Sequence, residues 1–120
     1  MSEFDQSNFN NIIRKIIKKS LFTERQIEII LNQKDLLESK FTITKGAYYR
    51  QVSQSREKLI ALFYSIILLR GLGIILPDDI DVISKLSEQI NVINNSDVFP
   101  EREDDVINVI DKVIRQACSM

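Results

Sequence analysis

One stretch, Thr44 to Arg70 (TKGAYYRQVSQSREKLIALFYSIILLR), constrains the fold of this chain more than any other. It holds no Pro, and its one Gly, Gly46, falls in the first turn, so nothing inside it interrupts a helix. At about 100° per residue, Tyr48, Val52, Ser55, Leu59, Leu62 and Ile66 share one stripe, the face such a helix buries. Gly46, Arg50 and Ser53 fall opposite, with Lys45 and Tyr49 on the flank. From Leu59 onward Ile60, Phe63, Tyr64, Ile67, Leu68 and Leu69 fill the remaining directions, and a helix apolar all round has to be covered all round. One end of the rod suits a polar partner, the other the centre of a core or interface.

The remaining segments read as shorter helices. Phe9, Ile12, Ile13, Ile16 and Ile17 recur at helical spacing with Arg14, Lys15, Lys18 and Lys19 on the other side, a basic amphipathic helix expected to pack on the core and not to lie on a membrane. Before it, Met1 to Asn11 is polar and has no signal-peptide pattern, so it is expected to begin as a loose end. Thr23-Glu24-Arg25-Gln26 forms a capping box that starts a second helix. That helix either runs to about Lys40 or breaks near Asn32-Gln33 into two short pieces. Thr44 caps the long helix, and Gly71-Leu72-Gly73 closes it. Pro77 and Pro100, each followed by acids, open two more helices. The first carries Ile80, Ile83, Leu86 and Ile90 and ends at Asn94-Asn95-Ser96-Asp97; the second carries a broad apolar face from Val106 to Ala117.

The expected architecture is all-α: one domain over residues 1–120 with five or six helices, a first part over 21–59 and a helical core or dimerisation part over 60–120. The apolar half of the long helix is expected to be wrapped by the last two helices, from the same chain or from a second copy, and a homodimer is the expected partner state.

Charge is divided along the chain. Ile12 to Arg70 holds twelve Lys and Arg against five acids, a net of +7, while the residues after Arg70 hold four against ten, a net of −6. The basic half points to a polyanion, although two halves that face each other or a second subunit would give the same pattern. Leu59 to Leu69 is free of charge but shorter than the roughly 20 residues a membrane span needs, so no membrane partner is expected. There is no His, and the lone Cys118 can form no disulfide within the chain. A reducing, cytoplasmic location fits, and no metal and no cofactor are expected. With no phosphate loop or nucleophile motif either, and with acids sitting at helix starts where the dipole accounts for them, the reading is non-enzymatic.

The succession TERQIEII, KDLLESKF, a short turn with Ile43, and TKGAYYRQVSQSREKL resembles the helix-turn-helix of bacterial sigma-factor region 4 and related archaeal and bacterial regulators, over about Leu21 to Leu59. The resemblance implies a prokaryotic transcriptional regulator or chromatin-associated factor whose partner is double-stranded DNA. By position it assigns Thr44, Lys45, Gly46, Tyr49, Arg50, Ser53 and Gln54 to DNA, and Ile43, Tyr48, Val52 and Leu59 to the core. Lys45 or Arg50 would bond guanine or phosphate, and Gly46 would let the backbone come close. Arg56 and Lys58, with Lys15, Lys18 and Lys19 if the first helix lies alongside, would add sequence-independent attraction. The competing reading is a protein-interaction module that uses the basic half and the long helix to bind an acidic partner.

Overall fold

The computed structural model describes residues 9–38, 41–94 and 100–120, and among them every regular element is a helix. These are α1 (Asn11–Lys19), α2 (Glu24–Gln33), α3 (Lys45–Gly71), α4 (Pro77–Asn94) and α5 (Pro100–Ala117). The all-α expectation holds with the lower of the two helix numbers. The polar start lies largely outside the described residues, as do Lys40 and the Asn95-Ser96-Asp97 stop.

The chain divides into two compact units, one made of Met1–Ile16 with Ile75–Met120 and the other of Ile17–Ile74, with the boundary inside α1. The second unit carries ten basic and five acidic residues, a net of +5, and the first six and twelve, a net of −6. The division of charge read along the sequence is therefore also a division between units.

In the acidic unit, the Asn10 carboxamide oxygen accepts from the Ile13 amide at 2.9 Å and caps α1, and its Nδ2 donates to the Ile93 carbonyl at 2.8 Å. Ile12 and Ile13 are buried, as expected for a helix that packs on a core. At the start of α4, Asp79 at the third helical position accepts from the Leu76 amide at 2.8 Å, which adds a specific bond to the dipole argument made from the sequence. Arg115 meets Asp111 one turn earlier in α5 at 2.7 Å, and that bond raises its pKa above the ordinary arginine value.

The basic unit is organised by α2 packed against α3. Its capping box forms as expected: the Gln26 amide donates to Thr23 Oγ1 at 3.1 Å, and the Thr23 amide to Gln26 Oε1 at 3.0 Å. Ile29, Val52 and Ser55 are buried between the two helices. Ile17, at the end of α1, is also buried.

Both helices of the pair end in the same way. After α2 the Leu36 amide donates to the Leu31 carbonyl at 2.9 Å and the Asp35 amide to the Asn32 carbonyl at 3.2 Å, with Asp35 at φ 57°. After α3 the Ile74 amide donates to Leu69 at 2.8 Å and the Gly73 amide to Arg70 at 3.2 Å, with Gly73 at φ 77°. These are Schellman stops, in which a left-handed residue turns the chain so that two orphan carbonyls are satisfied. Helix α2 therefore stops at Gln33, and no helix forms over residues 34–38, so the KDLLESKF stretch supplies no separate short helix within the described residues.

Candidate nucleic-acid interface

The basic unit presents the first turns of α3. Thr44 caps the helix by accepting from the Ala47 amide at 3.1 Å, so its hydroxyl serves the helix start, beside which the first free amides lie. Lys45, Gly46, Tyr49, Arg50, Ser53, Gln54 and Arg56 are all exposed. Helical geometry sorts them: Gly46, Arg50 and Ser53 form the ridge opposite the face packed on α2, Lys45, Tyr49 and Arg56 run along one flank, and Gln54 stands on the other. None of Lys45, Arg50 and Arg56 has an ion-pair partner among the described residues.

The aromatic residues around this end of α3 have separate roles. Tyr48 is half-buried; its hydroxyl oxygen accepts from Asn32 Nδ2 and from Gln33 Nε2, each at 2.8 Å. Its ring lies 5.3 Å from that of Phe41, over which the Arg25 guanidinium sits at 5.6 Å. Tyr49 stacks edge-on to Tyr48 at 5.4 Å but is 55% exposed. The last turn of α2 and the segment before Thr44 thus fix the angle at which the tip of α3 leaves the unit. The connection from Lys34 to Thr44 is longer than the three or four residues of a compact helix-turn-helix.

The chain was compared with known protein families, with curated proteins and with solved structures. It matches none of them.

Two cations that the charge pattern assigned to a polyanion are engaged within the chain. Lys58 Nζ donates to the Leu21 carbonyl at 2.8 Å and to Gln26 Oε1 at 3.0 Å, so it ties α3 to the start of α2. Lys15 bonds Asp104 at 3.2 Å and approaches Glu103 at 3.6 Å in the acidic unit. The Asp104 hydrogen bond is the main cause that holds the Lys15 ammonium above its ordinary pKa. Lys18 and Lys19 are exposed.

One residue that the site assignment passed over changes its limits. Glu57 is exposed on the same ridge as Arg50 and Ser53, one turn further on. A carboxylate there repels phosphate, so the cationic surface is confined to the first three turns of α3. The heptad-like spacing Arg50-Ser53-Glu57 was visible in the sequence and identifies it.

Val52 and Ser55 are buried and Leu59 and Leu62 half-buried, but Ile60, Phe63, Tyr64, Ile67 and Leu68 are exposed. A cavity of about 110 Å³ opens between α2 and α3, lined by Ile29, Ile30, Val52, Ser55 and Leu59. Among the described residues no three His, Cys, Asp or Glu side chains group as metal ligands, and no helix is long and apolar enough to cross a membrane.

Proposed function

We propose that this chain is a DNA-binding regulator or chromatin-associated factor of the prokaryotic cytoplasm, acting by binding and not by turnover, and that the first three turns of α3 enter the major groove. One observation carries the reading: Lys45, Arg50 and Arg56 stand exposed on a capped helix tip, without acidic partners among the described residues, in the unit of net positive charge. A helix fits the major groove, its N-terminal amides and lysine meet phosphate, and an arginine on the ridge bonds the guanine edge in a bidentate way. Tyr49 adds a flat, half-apolar surface against sugar or base edges.

The test is titration of duplex DNA at several salt concentrations. Lys45→Ala is expected to weaken binding about equally on all sequences and to lower the salt slope by about one, as a phosphate contact does. Arg50→Ala is expected to cost on the order of 1–3 kcal/mol and to relax sequence preference. No affinity for duplex at low salt would reject the reading in favour of an acidic protein partner for the same surface.

A further inference from the structure

The longest uncovered apolar surface of the basic unit lies on the same helix as the proposed DNA face, beyond its charged part. Ile60, Phe63, Tyr64, Ile67 and Leu68 recur at intervals of three and four and so form one stripe. Tyr64 is 71% exposed, Ile67 67% and Phe63 61%. Leu62, Ile66 and Leu69, which are less exposed, lie on the opposite side of the helix. The stripe is therefore a second apolar face and not the edge of the first.

We propose that a second copy of this chain covers the stripe of Ile60, Phe63, Tyr64, Ile67 and Leu68, pairing α3 with α3 about a two-fold axis near Tyr64. Three features favour a like partner. With Leu72 and Ile74 the exposed side chains offer on the order of 800 Å² of apolar surface, what each partner brings to a stable protein interface, and well above the scattered apolar exposure of a monomer. From Leu59 to Leu69 no residue is charged, so two identical stripes meet without repulsion. Gly71 continues the stripe at its end, and a Cβ there would meet nothing within 4 Å, which leaves room for another backbone to approach.

The pairing stands without DNA, but its consequence rests on the proposed function. Arg50 lies fourteen residues before Tyr64, about 21 Å along a helix. Two copies crossing at Tyr64 can therefore set their cationic tips as far apart as the roughly 34–36 Å between half-sites on successive turns of one face of the duplex. The partner would make the site two-fold.

Sedimentation equilibrium of the full chain, without DNA and under reductant so that exposed Cys118 stays reduced, reads the pairing directly. A particle of twice 13.9 kDa is expected at micromolar concentration. Ile67→Glu is expected to raise the dissociation constant about 100-fold or more, since it places a charge in an apolar interface. Circular dichroism should show its helices intact, because Ile67 is exposed on the basic unit. A separate readout does not depend on destabilising the pair: Tyr64→Cys in a Cys118→Ser background should oxidise to a covalent dimer. A wild-type monomer up to several hundred micromolar overturns the proposal. So does a dimer indifferent to Ile67→Glu, or a Tyr64→Cys chain that does not cross-link. Loss of duplex affinity in a protein that remains dimeric would count against the DNA reading alone.

Discussion

The hydroxyl of Tyr48, in the first turn and a half of α3, accepts a 2.8 Å hydrogen bond from the carboxamide of Asn32, in the last turn of α2. Gln33 donates to the same oxygen, so one phenol holds the end of one helix to the beginning of the next. Tyr48→Phe keeps the ring on Phe41 and removes both bonds. It is expected to cost about 1–2 kcal/mol, read as a lower midpoint in urea with an unchanged slope. Because Tyr48 does not belong to the exposed set, duplex affinity at low temperature should change little.

Ser55 presents the opposite case. It is 1% exposed at the α2–α3 contact, and its hydroxyl has no hydrogen-bond partner among the described residues. A buried polar group left unpaired costs free energy, and Ala is also the better helix former. Ser55→Ala is therefore expected to stabilise the chain by about 1 kcal/mol in the same urea measurement. Lower stability would mean that the hydroxyl has a bond in solution.

The two helix stops explain what the sequence could and could not convey. Gly71-Leu72-Gly73 announced the end of α3, because glycine adopts the left-handed conformation without a steric cost. The end of α2 relies on Asp35 at φ 57°, and aspartate adopts the left-handed conformation far less readily than glycine, so nothing in Lys34 to Lys40 marked the stop as Gly73 did. Helix starts were legible because Thr23, Thr44, Pro77 and Pro100 act locally through their own side chains or rings. The outward ridge of Arg50 was legible from periodicity alone. What was not legible depends on contacts distant in sequence: Lys58 reaches Leu21, Lys15 reaches Asp104, and Asn32 reaches Tyr48. Periodicity also showed that the second half of α3 is apolar all round, but it gave no means of telling which sides the chain itself covers.

Gly73→Ala follows from the same motif. At φ 77° a Cβ is strained even though nothing stands within 4 Å of it, and the left-handed conformation costs an L-residue about 1–2 kcal/mol. The loss should appear in thermal or urea unfolding. A neutral result would show that the chain after α3 takes another path at little cost.

Gly46 and Glu57 separate stability from recognition at the proposed interface. A Cβ at Gly46 would meet nothing within 4 Å in the free chain, and its backbone is ordinary helix, so Gly46→Ala is expected to stabilise α3 by about 0.5–1 kcal/mol. If the first turn approaches a phosphate or base closely, the added methyl stands in the way, and the more stable protein binds duplex more weakly. Glu57→Gln removes the carboxylate from the ridge beyond Arg50 without touching a buried group, and binding should strengthen, most at low salt where unscreened repulsion is largest. Melting curves and duplex titrations on the two variants check both signs. Gly46→Ala binding as tightly as wild type, together with no gain from Glu57→Gln, would mean that neither residue faces the nucleic acid, and the contact would then have to lie along the Lys45, Tyr49 and Arg56 flank.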